Sequence, residues 1–253
     1  MSFKNKTAIV TGAGQGIGFE ICSRLAKEGA NVILIDIDSS MADVAANRIA
    51  EANGGHCIAL AGDASDVTFI QQMVDTAVSK FGQLDIVIAN AGITLFGDFF
   101  TYPVESFLRV MQVNLAGTFF LAQAAANQMK KQPQGGSLLF TSSVTGHQAH
   151  KDLAAYGMSK AAVEMLAKNL VIELSEYNIN VNTIAPGATL TERTLDDPAY
   201  KATWSRLTPM GRPADVADIA NAALFFVSDS AKHITGQTLI VDGGWTSISP
   251  SPF

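Results

Sequence analysis

Seven short runs rich in apolar and β-branched residues alternate along this chain with segments of helical spacing, and that alternation limits the fold more than any other feature. The runs are Thr7–Val10, Val32–Asp36, His56–Leu60, Ile86–Ala89, Ser137–Thr141, Val181–Ile184 and Thr238–Val241. Several, such as Ile86-Val87-Ile88-Ala89, are apolar throughout and lack the in–out alternation of a half-solvated strand. Strands read this way when helices cover both faces of a parallel sheet. Between the runs, apolar residues recur at helical spacing, as in Ile21, Cys22 and Leu25 and in Val163, Leu166 and Leu170. The pattern predicts a doubly wound α/β fold, a seven-stranded parallel sheet flanked by helices.

No Pro- or Ser-rich linker divides the 253 residues and no internal repeat is present, which predicts one domain over residues 1–253. A core of that size needs no disulfide or metal staple. Residues 187–213 break the rhythm with Pro198, Pro209 and Pro213 among polar residues, and are expected to form a lid within the domain. The tail Ser247–Phe253 carries two prolines and is expected to be extended. Hydrophobic residues make up 48% and charged residues only 16%, which excludes disorder and leaves apolar surface for contacts between subunits. A net charge of −6 shows no basic footprint for nucleic acid. The N-terminus enters an apolar strand at once without a signal-peptide pattern, and no apolar run reaches the ~18–20 residues of a membrane span. A soluble, cytoplasmic protein is expected. Cys22 and Cys57 lie in apolar stretches and read as small buried thiols. His56 beside Cys57 has no second Cys/His group to join it, so no metal site is expected.

Thr11-Gly12-Ala13-Gly14-Gln15-Gly16-Ile17-Gly18 follows the first strand directly and opens the first helix. Glycines at such a junction permit a tight turn and let the backbone approach a pyrophosphate, which then lies at the positive end of the helix. Asp36 ends the second strand 18 residues after Gly18, near the ~20 expected of an acid that binds the adenosine ribose. A carboxylate there accepts hydrogen bonds from ribose hydroxyls and repels a 2′-phosphate. Its neighbours Gln15, Ile37 and Asp38 supply no cation for that phosphate, so NAD rather than NADP is the expected cofactor.

Tyr156-Gly157-Met158-Ser159-Lys160 puts a tyrosine and a lysine at i and i+4, one turn apart on one helix face. A phenol is a poor base at neutral pH, and a neighbouring ammonium favours its ionised form. That is the requirement for removing a proton from an alcohol. Ser143 lies 13 residues upstream, just past the fifth strand, and Asn114 lies further upstream in a helical stretch.

At this point the chain resembles the short-chain dehydrogenase/reductase family, in its compact single-domain branch. The resemblance runs from Thr7 to Gly244. It rests on the glycine loop, Asp63, Asn90-Ala91-Gly92, Asn114, Ser143, Tyr156, Lys160, Pro186-Gly187, and Ile234-Thr235-Gly236-Gln237 leading to Val241-Asp242-Gly243-Gly244. It implies a Rossmann fold and the following roles. Tyr156 is the general acid/base; Lys160 holds the nicotinamide ribose and favours the Tyr156 phenolate. Ser143 hydrogen-bonds the substrate oxygen, with Ser142 as the alternative. Asn114 holds a water that links Lys160 to solvent. Gly12, Gln15, Gly16, Ile17 and Gly18 meet the diphosphate, Asp63 and Ala64 the adenine, and Asn90, Ala91 and Gly92 line the cofactor. Pro186 and Gly187 also bind the cofactor, the Thr189 backbone meets the nicotinamide carboxamide, and Thr191 contacts that group or the diphosphate. Ala89, Ala64 and His233 depart from the family's common residues without removing a catalytic group.

His147 and His150 fall on the segment that walls the substrate pocket in the family. Either is a pocket group or a solvated loop histidine, and His150 is the one expected at the substrate. Phe99-Phe100 and Phe119-Phe120 read as buried helix packing, while Trp204 either closes over substrate or packs on the domain. The reading is an NAD-dependent oxidoreductase that moves a hydride between an alcohol, a polyol, sugar or sugar acid, and NAD. The alternatives are reduction of 3-oxoacyl thioesters, oxidation of hydroxysteroids or secondary alcohols, and a non-enzymatic NAD-binding scaffold. The family resemblance implies a homotetramer.

Overall fold

The computed structural model describes residues 2–53 and 56–249. In chain order its first half contains β1 (Thr7–Thr11), α1 (Gly16–Lys27), β2 (Asn31–Asp36), α2 (Ser39–Asn53), β3 (Cys57–Ala61), α3 (Val67–Phe81), β4 (Ile86–Ala89) and α4 (Val104–Val110). The chain continues through a wide helical turn, Met111–Ala116, into α5 (Gly117–Met129), β5 (Gly136–Thr141), α6 (Ala154–Leu174) and β6 (Ile179–Pro186). It ends with β7 (Thr189–Leu190), α7 (Tyr200–Leu207), β8 (Ala214–Asp215), α8 (Val216–Phe226) and β9 (Thr238–Val241).

Seven strands form one parallel sheet in the order β3-β2-β1-β4-β5-β6-β9. All seven apolar runs became its strands. Successive residues of a strand face opposite sides, so Ala8 and Val10 pack with α1 and α8, while Ile9 packs with α3, α5 and α6. Every residue of β4 and β6 is buried, so neither strand has a face turned to solvent. β6 runs two residues further at each end than the apolar stretch Val181–Ile184. Asn180 and Asn182 are accommodated inside it because their amides donate to the Ile234 carbonyl, at 3.2 and 2.7 Å.

Strand order reverses between β1, which leads back to β2, and β4, which leads on to β5. In open parallel sheets ligands occupy the crevice at such a switch point, beyond the strands' C-terminal ends. Residues 187–213 leave the sheet after β6, form α7, and return where β8 pairs with β7. Trp204 of α7 packs on Tyr200 and, at 5.3 Å between ring centres, on Trp245 near the C-terminus. Of the tail Ser247–Phe253, expected to be extended, Ser247 closes the tight turn Trp245–Ser247, Ile248 is extended, and residues 250–253 lie outside the described residues.

The phenylalanine pairs correct the sequence reading. Phe99 and Phe100 stand 77% and 91% exposed on a short turn. The buried stripe of α5 is Leu121, Ala122, Ala125, Ala126 and Met129, which leaves Phe119 and Phe120 partly exposed beside it. Cys22 is fully buried, and burial pushes its thiol well above the usual range. Burial also pushes Cys57 up to about 12. No group of His, Cys, Asp and Glu among the described residues could hold a metal ion, and no described helix is long and apolar enough to cross a membrane.

Candidate active site

A cleft of about 480 Å³ opens at the C-terminal ends of β1, β4, β5 and β6. Its floor is the glycine loop. Gly12 sits at φ +62°, and a Cβ there would lie 2.8 Å from the Ala91 Cα. At Gly18 a Cβ would run into the Gly12 carbonyl oxygen. The loop therefore nests against the end of β4 only as glycine. Asn90 fastens the same junction, its amide donating to the carbonyls of Thr11 and Gly12, both at 3.0 Å. At the start of α1, Gln15 gives no side-chain cap and the first turn holds no acid. Its N–H groups are left to a ligand, and an anion suits them.

Asp36 reaches into the cleft from the end of β2, where its carboxylate accepts the Gly14 N–H at 2.9 Å and the Asp38 N–H at 3.2 Å. Among the described residues no cation forms an ion pair with it: Ile37 is exposed, and Arg48 of α2 is stacked 4.6 Å over the Phe19 ring. Beyond β3, Asp63 accepts from the Ser65 N–H and hydroxyl and from Arg109 at 3.1 Å. Partial burial acts to raise its carboxyl, but these donors outweigh that and hold it below the usual carboxylate range.

On the other wall stand Ser143, Tyr156 and Lys160. The i, i+4 spacing on α6 works as read: the Lys160 ammonium lies 5.5 Å from the Tyr156 ring centre and donates to the Thr141 carbonyl at 2.8 Å. Ser143 begins the turn after β5, where its hydroxyl accepts the Thr145 N–H at 3.2 Å. Asn114 is buried in the wide turn between α4 and α5, where i→i+5 bonding distorts the helix, as it often does at functional sites. Its amide clasps Ile93, accepting the N–H at 2.8 Å and donating to the carbonyl at 3.0 Å. A Cβ on Gly92 would lie 3.3 Å from both Asn114 Oδ1 and Lys160 Nζ, so the asparagine sits just behind the lysine.

Seventeen residues were expected at the cofactor and all seventeen line this cleft, from Gly12 through Asp36 and Asp63 to Thr189 and Thr191. Thr191 lies against the glycine loop, its methyl 3.5 Å from where a Gly16 Cβ would be. Asn114 lies beneath the cleft, in contact with its lining. His150 is not brought into it: it lines an adjoining depression with Phe99 and meets Phe96 edge-on. His147 turns the other way and pairs with Glu164. Ser142 likewise faces α6, donating to Glu164, so only Ser143 is free to meet a substrate.

Sequence reasoning missed Arg109, Arg193 and Tyr200, which line the cleft as well. One signal for Arg109 was available, since it is the only Lys or Arg between Lys80 and Lys130. Arg193 and Tyr200 carried none, because nothing in the order of residues 187–213 says which side faces inward. Larger cavities exist, among them one of about 630 Å³ at the opposite ends of the strands. Its cations Lys6 and Lys232 are already paired with Asp85 and Asp229, so chemistry and not volume singles out the cleft.

Sheet and cleft together define a doubly wound nucleotide-binding protein. A family model described as Enoyl-(Acyl carrier protein) reductase matches residues 12–246. L-rhamnose 1-dehydrogenase (NAD(P)(+)) of Azotobacter vinelandii is 35% identical over 246 residues, covering 95% of this chain and 96% of that protein. The crystal structure of a short-chain type dehydrogenase/reductase from Mycobacterium marinum superposes with a TM-score of 0.92 at 32% identity, covering 98% of each chain. A 7α-hydroxysteroid dehydrogenase in complex with NADH and 7-oxo glycochenodeoxycholic acid gives 0.91 at 36% identity, over 96% of this chain and 95% of that one. The chain belongs to the short-chain dehydrogenase/reductase family. Membership places it among the nicotinamide-dependent oxidoreductases of CH–OH groups.

Proposed function

We propose that this protein oxidises a polyhydroxylated alcohol, a sugar, polyol or sugar acid, with NAD in preference to NADP, and that Tyr156 is the acid/base. The observation that carries the reading is the pairing, in one cleft, of Asp36 at one end with Ser143, Tyr156 and Lys160 at the other. Asp36 would hold the adenosine ribose, the uncapped start of α1 the diphosphate, and Lys160 the nicotinamide ribose. When bound, the nicotinamide supplies the hydride acceptor. The Tyr156 oxygen takes the proton of the substrate hydroxyl as the carbonyl forms. Ser143 Oγ donates to the substrate oxygen and keeps it beside Tyr156. Lys160 favours the ionised tyrosine, and Asn114 holds the water that returns the proton to solvent. The sugar reading is supported by the rhamnose dehydrogenase relative.

A second reading, oxidation of a bulky apolar alcohol such as a hydroxysteroid, has one observation in its favour. Exposed Phe99 and His150 line the depression that adjoins the cleft, and the His150 ring meets exposed Phe96 edge-on. For assembly the reading is a homotetramer, supported by exposed apolar residues on the long helices α5 and α6, such as Phe119, Met165 and Ile172.

NADH formation across L-rhamnose, D-glucose, D-mannitol, D-gluconate, cyclohexanol, cholate and a 3-hydroxyacyl thioester, with NAD and NADP in parallel, tests the proposal. A sugar or polyol turned over faster with NAD supports it, and cholate as the fastest substrate replaces it with the second reading. Tyr156→Phe is expected to cut kcat about 10²–10⁴-fold while NADH binds within about three-fold. A phenylalanine variant working at nearly the wild-type rate refutes the assignment of Tyr156.

A further inference from the structure

One buried carboxylate next to the catalytic residues takes no part in the chemistry above. Glu164 of α6 is 9% exposed and follows Tyr156 and Lys160 on the same helix face, at i+8 and i+4. Its Oε1 accepts from Ser142 Oγ at 2.5 Å and from His147 Nε2 at 2.9 Å. Of the elements packed on α6, the wide turn Met111–Ala116, α5, β5 and β6 contain no Lys, Arg or His, and α4 brings Arg109, which pairs with Asp63. Among the described residues, His147 is the one basic side chain within 4.0 Å of Glu164. A buried carboxylate left without its partner is costly, so the pair holds together as a unit.

The two contacts fall on either side of Ser143. Ser142 is tied to α6 through Glu164 and the Lys160 carbonyl, the latter at 2.9 Å. His147 is tied to the same carboxylate from beyond the turn Val144–Gly146. The turn lies flush on the helix, for a Cβ on Gly146 would stand 3.0 Å from Glu164 Oε1 and 3.1 Å from the Ala161 nitrogen. A third tie is the Lys160 ammonium on the Thr141 carbonyl. Lys160 gives that tie up if it turns to a cofactor ribose, and the Glu164 contacts then remain as the side-chain ties that reach α6 from both sides of Ser143.

We propose that Glu164 and His147 are positioning residues: by clamping Ser142 and the following turn onto α6, they keep Ser143 in register with Tyr156 once Lys160 engages the cofactor. The inference rests on the function proposed above.

Hydrogen exchange of the backbone amides of residues 143–149, measured with NADH present, reads the clamp directly. Glu164→Ala is expected to raise exchange there about ten-fold. It is also expected to lower kcat about ten- to hundred-fold on the fastest alcohol of the panel, as misplacement near 1 Å does, with the Kd of NADH within two-fold. Glu164→Gln keeps the shape and one acceptor oxygen, and should recover most of that loss. His147→Ala should give a smaller loss in the same direction and add none to Glu164→Ala. If Glu164→Ala does not fold, His147→Ala and Glu164→Gln decide. Unchanged exchange and kcat in the folded variants overturn the proposal. So does a loss of kcat, NADH affinity and Tm in step, which is plain destabilisation. Full activity in Tyr156→Phe would fail the reaction reading and leave the exchange result standing. Unchanged exchange beside an inactive Tyr156→Phe fails the clamp alone.

Discussion

Two regions of the cleft are built on different terms. The half from β1 to β4 makes its surface from backbone: Gly12 and Gly18 leave no room for a side chain, and Asn90 pins the loop by its amide. The half after β5 makes its surface from side chains on excursions from the sheet, the segment 143–153 and residues 187–213. There Tyr200 and Arg193 point inward, but other residues could occupy their places without moving the sheet. A surface made of backbone tolerates few residues, whereas a surface made of side chains tolerates many. The first holds what every member of such a fold would bind, and the second can be tuned to one substrate.

The widest separation between the halves should come from Gly18→Ala set against Arg193→Ala. The new methyl at 18 would meet the Gly12 carbonyl, the Asn90 amide at 2.7 Å and the Ala13 Cα at 2.8 Å. Overpacking of this kind costs about 1–3 kcal/mol, and because it displaces the loop itself, NADH affinity should fall about ten- to hundred-fold with it. Arg193 is exposed and has no ion pair among the described residues, so its removal should change stability by less than about 0.5 kcal/mol. Its effect should fall on the KM for the alcohol. Thermal melts and NADH titrations of the two variants check this, and equal losses of cofactor affinity would erase the contrast.

A smaller effect is expected at Asp36, the residue proposed to favour NAD over NADP. Its carboxylate accepts the Gly14 N–H, and a Cβ on Gly14 would sit 2.9 Å from the same oxygen. Asp36→Ser removes the charge that opposes a 2′-phosphate while leaving a hydroxyl in the turn. The NAD-to-NADP ratio of kcat/KM should drop at least about ten-fold, or about 1.4 kcal/mol. An unchanged ratio would move the selection of cofactor to another residue of the cleft.

The same contrast explains what the sequence made legible. All seven strands and the glycine loop were readable because burial on both faces and close backbone approach each leave a residue pattern. Tyr156 and Lys160 were readable because a helix converts a spacing of four into proximity. Glu164 is equally four from Lys160, yet nothing in the sequence marked it, because its partners Ser142 and His147 meet it only through the turn after β5. His150 was expected at the substrate on its position in the chain, and the turn at Asp152, at φ +63°, belongs to the bend that carries it to the neighbouring depression. Phe119 and Phe120 misled because apolar composition does not say which stripe of α5 meets the sheet.

The smallest effect should separate two aspartates, one from each region. Asp242 follows β9 and accepts from the Gly244 N–H at 2.8 Å and from the Thr246 N–H and hydroxyl, both at 2.7 Å. Partial burial acts to raise its carboxyl, and these donors outweigh it and hold it below the usual range, as happens at Asp63. A carboxyl depressed in the folded state adds stability above its unfolded value, about 3.9, and that stability is lost as pH falls through the folded value. Asp242 also fixes the strand end whose Gly243 carbonyl accepts the Met210 N–H at 3.2 Å, so it ties residues 187–213 to the sheet. Asp242→Asn should therefore cost about 1 kcal/mol at pH 7, a Tm lower by about 2–4 °C. Its melting curve should converge on that of the wild type as the pH falls through the depressed folded value of Asp242. Asp63→Asn should cost less, since its pair with Arg109 is partly open to solvent and screened by it. If the Asp242→Asn and wild-type Tm values instead fall in parallel with acid, the carboxylate's charge is not what holds the excursion, and the neutral geometry of the turn at Gly243 and Gly244 is.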